Sequence, residues 1–417
     1  MTAKVVIGLG FGDEGKGTIV DNLTQRAHSK PLVIRFSGGA QAAHNVINEN
    51  GFHHTFSQFG SGTLRHAPTL LSRYVLVDPL RLYAESLHLN DFLGRAAMAL
   101  VAVDERAPLV TRIHQAINHA RERARGNGRH GSTGLGMGET ELYRITFPGL
   151  FPTIGDLNNP EILRDKLKYL KGWGEEQVGE LGVSLDSVFE ELEAFAGDKI
   201  LNILDAAQAN KLVANTDELI FEGSQGVLLD EWIGFHPNTT WSTLTADNAL
   251  AIMAESGNDS YVEKLGVTRT YTTRHGAGPF PTEANELGFP ELHNTYGEFQ
   301  GDWRVGHLDL TLLAYAARAV QPDSIAITHM DVEQEKAAVR YDELFDFSGN
   351  VENSRDKEWQ AKFTEKLGSY TPDLFDVSDN KKIRALIEKA SNAQASILSY
   401  GPESNAKRWL EDRDGFN

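Results

Sequence analysis

The chain has 417 residues, of which 41% are hydrophobic and 24% charged, which is typical of a globular protein with a substantial core. It contains no Cys, and this absence excludes disulfide scaffolds, thiolate metal sites and cysteine nucleophiles. Its net charge of −18 argues against a nucleic-acid partner, because binding a phosphate backbone requires a positive surface.

No linker rich in Pro, Ser or Gly and no internal repeat divides the chain, so we expect one domain over residues 1–417 with long excursions. Residues 1–4 run directly into the first predicted strand and leave no room for a signal peptide. No apolar run approaches the length of a membrane span. We therefore expect a cytoplasmic protein without a membrane partner.

The first predicted element is a β-branched strand at residues 5–7, followed by a glycine-rich turn and a helix. Ile19, Val20 and Leu23 lie at the spacing of one helix face. A turn between a strand and a helix N-terminus presents backbone N–H groups to an anion, most often a phosphate. The opening of the chain therefore predicts a phosphate-binding turn.

Two phosphate-binding patterns overlap in this turn, and neither match is complete. Gly10, Gly12 and Gly15 fit the G-x-G-x-x-G dinucleotide pattern, but no carboxylate ends the second predicted strand, as that pattern requires. The same turn with Lys16 fits the G-x-x-x-x-G-K phosphate loop, but Gly17 replaces the usual Ser or Thr. Lys16 and the missing carboxylate together disfavour a dehydrogenase.

Asp13 and Glu14 lie within the turn and argue against a glycine-rich turn that binds nothing. An acid among phosphate-binding amides repels phosphate unless a metal or a proton-transfer role compensates. The hexapeptide Gly-Asp-Glu-Gly-Lys-Gly at 12–17 resembles the signature of the adenylosuccinate synthetase family. The members of that family are GTP-dependent ligases that join aspartate to inosinate.

That resemblance implies an α/β fold: one large domain, similar to P-loop proteins, with a central mostly parallel sheet flanked by helices and long insertions. It implies that Asp13 is both the catalytic base and a ligand of Mg²⁺. It also implies that the turn binds the phosphates of GTP through Gly12, Gly15, Lys16 and Gly17.

Small residues follow the second predicted strand, at 32–36, and surround His44. A lone His is more often structural than catalytic, but ligands gather where strands end in α/β sheets. The segment resembles Gly-Gly-His-Asn-Ala-Gly-His-Thr of the family, which implies that His44 is a general acid acting on the purine 6-oxygen. The same resemblance makes Gln41 a nucleotide contact and places Ala43 where a backbone carbonyl meets Mg²⁺.

Three further elements are predicted from apolar spacing and from the placement of Pro. Residues 74–77 form a predicted strand that leads into a helix with Pro79 at its start. Apolar residues at 113–120 predict another helix, and those at 185–195 predict an acidic amphipathic helix to which we assign no chemistry.

The loop at 126–138 is rich in glycine, and such a loop in a compact domain is either mobile or wrapped around a ligand. It resembles the family's Gly-Thr-Thr-Gly-Arg-Gly-Ile-Gly, which implies that Thr133 contacts the phosphate of inosinate. In the family an Arg from the neighbouring subunit of a homodimer follows. Phe147 occupies that position by strict count, although Arg144 lies close, so the cross-subunit contact stays open.

A buried-type strand at 219–221 ends in Glu222 and Gln225 beside glycines, which indicates either a polar site or a capped turn. The segment resembles the family's Phe-Glu-Gly-Ala-Gln-Gly-Thr-Leu-Leu-Asp. That resemblance implies that Gln225 binds the nucleotide and helps activate the 6-oxygen. It implies further nucleotide contacts at Leu229 and Thr240.

Residues 272–283 resemble the family's Ser-Thr-Arg-Val-Gly-Ala-Gly-Pro-Phe-Pro-Thr-Glu over their whole length. His275 stands in place of Val, and the resemblance makes it a contact of the purine nucleotide. This match and the opening hexapeptide are the two strongest in the chain.

The C-terminal part of the chain resembles the guanine pocket of the family. Asp331 matches the Asp of Thr-Lys-Leu-Asp, while His329 replaces the Lys that packs on the base. Ser399 and Gly401 match Ser-Thr-Gly-Pro. The resemblance implies that Asp331, Ser399 and Gly401 bind GTP, and a carboxylate paired with guanine would reject adenine.

The chain departs most from the family where aspartate is bound. The family loop Thr-Thr-Gly-Arg-Arg-Arg-Arg-Thr-Gly-Trp-Leu-Asp is shorter here, at 300–309, and keeps one arginine of four, Arg304. A dicarboxylate needs paired cations, which bidentate Arg supplies best. Arg304 could bind one carboxylate of the amino acid, and the fold could bring Arg35, Arg269 or Arg274 close enough to bind the other.

The leading hypothesis is a ligase that uses GTP and Mg²⁺ to phosphorylate the 6-oxygen of an inosinate-like nucleotide and joins it to aspartate. The alternative keeps this activation but uses another amine donor or a modified purine nucleotide, and Asp13 favours a 6-oxopurine without a 2-amino group. A third hypothesis, a silent nucleotide-binding regulator, is disfavoured because Asp13, Lys16, His44 and Gln225 occur together. The choice of ribose or deoxyribose and the strictness for GTP over ATP stay open.

Overall fold

The computed structural model describes residues 2–94, 96–126, 131–289, 301–332, 336–338, 355–377 and 379–410. Their strands, in chain order, are β1 (Thr2–Gly8), β2 (Leu32–Arg35), β3 (His44–Ile47), β4 (His53–Phe56), β5 (Thr69–Leu71), β6 (Val101–Asp104), β7 (Asn202–Leu204), β8 (Glu218–Gly226), β9 (Val262–Arg269), β10 (Thr272–His275), β11 (Trp303–Gly306), β12 (Ser324–Thr328), β13 (Lys336–Ala338), β14 (Leu374–Asp376), β15 (Gln394–Ser399) and β16 (Lys407–Trp409).

The helices of the same residues are α1 (Lys16–Arg26), α2 (Pro79–Leu93), α3 (Arg112–Arg125), α4 (Met137–Thr146), α5 (Pro160–Val178), α6 (Leu185–Gly197), α7 (Ala206–Ala214), α8 (Asp247–Ser256), α9 (Leu310–Val320), α10 (Lys357–Gly368) and α11 (Asn380–Ser391). In the described part of the chain, every helix falls short of the length and apolarity needed to cross a membrane.

Ten strands form one sheet in the order β16-β15-β12-β9-β1-β8-β2-β5-β6-β7. Neighbours run parallel throughout, except for the edge pair of β15 and β16. The predicted mostly parallel sheet flanked by helices is therefore confirmed. Because the parallel strands share one carboxyl edge, the segments that follow them are brought side by side, which is where α/β proteins bind ligands.

Strand β1 lies in the middle of the sheet because its side chains are apolar on both faces. Val5 and Ile7 belong to the core that contains Leu312 of α9, whereas Val6 packs in a separate core with Ile19 of α1. Successive side chains of a strand point to opposite faces. The apolar run of β1 therefore anchors helices on both sides and fixes the turn that follows it.

The helices predicted around 79, 113–120 and 185–195 are confirmed as α2, α3 and α6. The predicted strand at 74–77 is wrong. The strand is β5, which ends at Leu71, while Leu76 and Val77 form only isolated bridges, to Gly39 and Leu109. The apolar side chains of this segment are buried by packing in an irregular connection, so their hydrophobicity reflects the core and not a strand.

Candidate active site

One cavity of about 1340 Å³ runs along the carboxyl edge of the sheet. It is lined by the segments that follow β12, β9, β1, β8, β2, β5 and β6. The structure brings together in its wall all but one of the predicted site residues: Gly12, Asp13, Gly15, Lys16, Gly17, Gln41, Ala43, His44, Thr133, Gln225, Leu229, Thr240, His275, Asp331, Ser399 and Gly401. Arg304 is the one that does not line it.

The turn between β1 and α1 binds an internal carboxylate, that of Glu14. Oε1 of Glu14 accepts the backbone N–H groups of Gly10 and Gly12, at 3.0 and 2.8 Å, and Oε2 accepts Nζ of Lys16 at 2.6 Å. Burial alone would raise the pKa of Glu14, but the charge and hydrogen bond of Lys16 and the backbone N–H groups lower it. Glu14 is thus an anion that orders the turn and holds Lys16 in place.

A glycine of β8 makes room for this carboxylate. A Cβ atom on Gly226 would lie 2.2 Å from Oε1 of Glu14 and 2.2 Å from the carbonyl oxygen of Gly10. A larger residue at this position would therefore displace the turn. The place of Glu14 between glycines is a signal in the sequence, but its role in the turn is visible only in the structure.

Asp13 faces the cavity from a left-handed backbone conformation, with φ of 60°. Its carbonyl oxygen accepts Nε of Arg269 at 2.5 Å, which fixes the backbone. Its Oδ2 lies 3.4 Å from Nε2 of His275, and its side chain is 28% exposed. The carboxylate is therefore fixed through its backbone and still open to a ligand.

His44 is held between two acceptors. Its Nδ1 lies 2.6 Å from Oε1 of Glu222, and its Nε2 lies 2.8 Å from the carbonyl oxygen of Ser224. A carboxylate and a carbonyl oxygen accept hydrogen bonds, so a ring N–H is the donor in each of these contacts. The ring can therefore donate Nε2–H to the cavity if it turns from the Ser224 carbonyl.

Glu222 is fully buried beneath His44 and also accepts the backbone N–H of Ser61 at 2.9 Å and its hydroxyl. Burial alone would raise the pKa of Glu222, but the charge of Arg35 and the bonds from His44 and Ser61 lower it to about 2. The sequence placed Glu222 at a strand end without assigning it a function. The structure makes it the group that orients His44.

The predicted guanine pocket lies at the other end of the cavity. Ser399 and Gly401 are joined by a hydrogen bond of 3.1 Å, and Nζ of Lys407 donates to the Gly401 carbonyl at 2.7 Å. Burial, with the charges of Arg269 and Lys407, holds the pKa of His329 well below its usual range. A neutral ring therefore stands where the family has a lysine.

The arginines proposed for the amino acid are bound to protein groups. Arg304 donates Nη1 to the carbonyls of Gly276 and Gly278, at 2.9 and 3.0 Å, and Nη2 to Glu283. Arg274 is buried and donates to three carbonyls, and burial together with Arg304 lowers its pKa to about 9.

The other two arginines are also engaged. Arg35 donates to the Phe59 carbonyl at 3.1 Å, and Arg269 donates to Asp13 and to the Tyr271 hydroxyl. Residue 300, at the start of the shortened loop, lies outside the described residues. Among the described ones, the loop region offers no arginine pair preset for a dicarboxylate.

The model of the adenylosuccinate synthetase family matches residues 5–406 of the chain. The chain belongs to the adenylosuccinate synthetase family. An adenylosuccinate synthetase of Clostridium beijerinckii is 29% identical over 434 aligned residues, which cover 97% of this chain and 98% of the relative. That of Thermoplasma acidophilum is 31% identical over 78% of this chain and 75% of its own length.

Two solved structures share the fold. The fully ligated adenylosuccinate synthetase of Plasmodium falciparum aligns with a TM-score of 0.78 at 20% identity, covering 98% of this chain and 99% of that one. The succinoaminodeoxyadenylate synthetase of cyanophage S-2L, bound to dGMP and to dATP as an energy donor, aligns with a TM-score of 0.61 at 17% identity, covering 98% and 95%.

Membership of the synthetase family confirms the expected carbon–nitrogen ligase, with GTP as co-substrate and Mg²⁺ as cofactor. The roles of individual residues stay predictions. The cross-subunit contact stays open. Arg144 pairs with Glu141 of its own helix, with Nε 2.8 Å from Oε2. Phe147 packs against Tyr143, with 5.1 Å between the ring centroids.

Proposed function

We propose that this synthetase transfers the γ-phosphoryl group of GTP to the 6-oxygen of inosinate and then joins the purine to the amine of aspartate, giving adenylosuccinate. One observation carries the proposal: the phosphate turn, Asp13, and His44 with its buried Glu222 all face one cavity. A protein that only bound nucleotides would need neither the base nor the oriented acid.

In the first step, Asp13 takes the proton from N1 of the purine, which raises the nucleophilicity of the 6-oxygen. A bond forms from the 6-oxygen to the γ-phosphorus, and the bond from that phosphorus to the β,γ-bridging oxygen breaks, releasing GDP. His44 donates its Nε2–H to the transferring group, and Lys16 offsets its charge.

In the second step, the amine of aspartate attacks C6, and the bond from C6 to the phosphorylated oxygen breaks. Inorganic phosphate leaves and takes up the proton that the nitrogen loses. Gln225 would hold the purine for both steps, positioned by the hydroxyl of Ser224, which donates to Oε1 of Gln225 at 2.9 Å. Phosphorylation is needed because an unmodified 6-oxygen is a poor leaving group.

The residues at the turn fit Mg²⁺, which binds one or two carboxylates and completes its octahedral shell with phosphates and water. Asp13 offers an open carboxylate, and Ala43 is exposed in the cavity wall, where its carbonyl would be the second protein ligand. When bound, the ion would neutralise developing phosphate charge. Nζ of Lys16, which lies 2.6 Å from Oε2 of Glu14, would direct its other donors toward the phosphates.

The remaining residues proposed to contact the substrates line the cavity, apart from Arg304. Asp331, Ser399 and Gly401 would bind guanine, while Gln41, Thr133, Leu229, Thr240 and His275 would bind the purine nucleotide. For the amino acid, we propose an exchange of carboxylates: the substrate would replace Glu283 on Arg304, since that ion pair is partly exposed. We also propose that the whole chain works as one domain in a cytoplasmic homodimer.

A second candidate function keeps the activation step but uses a different amine donor. The engagement of Arg304 by two carbonyls favours it, because a dicarboxylate would have to displace existing bonds. His275 beside Asp13, in place of the family's Val, also changes the site next to the reacting atom.

Phosphate release from GTP, Mg²⁺ and inosinate, measured with and without aspartate and followed by mass spectrometry, tests the proposal. We expect aspartate-dependent turnover and a product with the mass of adenylosuccinate. Binding of both nucleotides without aspartate dependence would favour the second candidate. Failure to bind either nucleotide would contradict both.

A further inference from the structure

The proposed function leaves one charge unmatched, which is the phosphate of the purine nucleotide. Its predicted contacts, Thr133 and Thr240, are neutral. Phe147 stands where the family has a neighbouring Arg, and Arg144 is held by Glu141. A phosphate monoester is a dianion near neutral pH, and proteins bind it most strongly with arginines.

Two arginines that line the cavity follow neighbouring strands of the sheet. Arg73 follows β5 and Arg106 follows β6, so both stand at the carboxyl edge of the sheet, beyond the segment that follows β2. No motif in the sequence points to either of them. Their position on the edge is set by the same parallel order that places Asp13 and His44.

Backbone contacts tie this region to the segment of Gln41, which is a predicted contact of the purine nucleotide. The N–H of Leu76 donates to the Gly38 carbonyl at 2.8 Å, and Val77 donates to the Pro108 carbonyl at 2.9 Å. The segment of Arg73 thus touches both the segment of Gln41 and that of Arg106.

A small apolar cluster brings in the glycine-rich loop as well. Ala40, Leu76, Val110 and Met137 are packed together, with Leu135 beside them. Thr133 lies two residues before Leu135, and Gln41 is next to Ala40. The cluster therefore joins the segments that carry the two arginines to the segments that carry Gln41 and Thr133.

The guanidinium groups of Arg73 and Arg106 are fixed by contacts with an aromatic ring and with carboxylates. Arg73 lies over the ring of Tyr74, 4.7 Å from its centroid, and donates to its hydroxyl. Both arginines pair with one partly exposed carboxylate, Glu255, and Arg106 has a second partner, Asp104, at 2.7 Å. Nε of Arg73 is buried and has no hydrogen-bond partner among the described residues.

The other arginines of this region are less suited. Nε and Nη2 of Arg121 also have no hydrogen-bond partner among the described residues, but Arg121 and Arg125 each pair with a buried carboxylate, Glu139 at 3.1 Å and Glu122 at 2.5 Å. Removing such a carboxylate from its partner would leave a buried charge uncompensated. Arg73 can exchange Glu255 for a ligand at the surface of the cavity.

We infer that Arg73 and Arg106 form an anion subsite that binds the phosphate monoester of the purine nucleotide. The inference rests on the proposed function for the identity of that nucleotide. In this subsite Arg73 offers its free Nε–H and its Nη groups, while Arg106, fixed by Asp104, contributes charge. Such a subsite lets one subunit supply the cations that the substrate phosphate needs.

Calorimetric titrations with inosinate, inosine and ribose 5-phosphate test the subsite, using the full chain and the variants Arg73→Met and Arg106→Met. We expect each variant to weaken inosinate binding about tenfold or more, the scale of a charge-assisted hydrogen bond, and to leave inosine binding unchanged. Arg73→Lys should recover part of the loss. Arg112→Met is the control, because Arg112 makes an exposed ion pair with Glu191 outside the cavity.

The outcomes separate the two proposals. If the unmodified chain prefers inosinate to inosine and both variants retain that preference, the subsite is refuted and the proposed function stands. If the chain binds ribose 5-phosphate but not inosinate, and the variants lose ribose 5-phosphate, the subsite stands and the proposed function is refuted. If the chain binds none of the three compounds, both are refuted.

Discussion

Two regions of the site resemble the adenylosuccinate synthetase family to different degrees. The nucleotide half is formed by the β1–α1 turn, His44, Glu222 and the guanine pocket, and it lies on the central sheet except for His44, which begins β3 of the separate β3–β4 hairpin. The proposed amino-acid half is the hairpin of β10 and β11, a separate two-stranded sheet. Strands β1 and β8 of the first half have parallel neighbours on both sides, whereas each strand of the second half has one pairing partner among the described residues.

This difference explains which half could change. In the nucleotide half, Glu14 and Glu222 are buried and saturated with hydrogen bonds, so a substitution there would leave buried charges unpaired. In the hairpin, Arg304 pairs with the half-exposed Glu283, and exposed pairs contribute little to stability. Activation chemistry is therefore constrained by the fold, and the choice of amine is not.

Loss of the proposed base should have the largest effect. Asp13→Asn removes the acceptor of the N1 proton, and we expect kcat to fall about 10³-fold while GTP still binds. Phosphate release measures the rate, and calorimetry measures the binding. Asp165→Asn, an exposed change on α5, is the control. A normal kcat for Asp13→Asn would show that Asp13 is not the base.

Loss of Glu222, the group that orients His44, should have the next largest effect. Glu222→Gln leaves His44 and Arg35 without their buried anion, so we expect kcat to fall about 10²-fold and stability to fall by about 3 kcal/mol. The KM for GTP should change little. Ser61→Ala, which removes one hydroxyl donor to Glu222 but keeps its charge, is the matched control. A loss of stability with unchanged kcat would make Glu222 merely structural.

The amino-acid half should respond more weakly and in a different parameter. Arg304→Met removes one charged donor, so we expect the KM for aspartate to rise about tenfold with unchanged binding of both nucleotides. Steady-state kinetics with aspartate as the varied substrate measures this. If nucleotide binding were lost as well, the two halves would be coupled and the comparison would break down.

A further effect is a dependence of stability on pH. The pKa of Glu222 is lowered in the folded chain to about 2 from an ordinary value of 4.5, so the unfolded chain binds this proton first as the pH falls. The stabilisation by Glu222 is complete above pH 4.5 and is lost between 4.5 and about 2. Urea unfolding at a series of pH values should show this slope, and it should be absent in Glu222→Gln. If the free energy of unfolding depended equally on pH in both proteins, another group than Glu222 would be responsible.

Much of the sheet and of the nucleotide half could be predicted from the sequence, because glycines and polar residues at strand ends are local signals. The placement of Asp13, His44 and Gln225 in one cavity follows from strands that share an edge. Glu14 was visible but unassigned, since its bonds to the turn depend on a backbone conformation that the sequence does not show.

The misplaced strand had a consequence for the site. A strand at 74–77 would place Arg73 before the strand, whereas the strand ends at Leu71 and Arg73 follows it into the cavity. Hydrophobicity alone could not separate a strand from a buried connection. The partners of Arg304 could not be predicted either, because they are backbone carbonyls brought near by the hairpin register.

The central claim is that the nucleotide half performs phosphoryl transfer without the amino-acid half. The most direct test follows GTP labelled with ¹⁸O in its β,γ-bridge, by phosphorus NMR, with Mg²⁺ and inosinate but no amino acid. Transfer to the 6-oxygen frees the β-phosphate to rotate, so reversal scrambles the label, and we predict scrambling that requires inosinate. A label that stays in the bridge until an amino acid is added would contradict the claim.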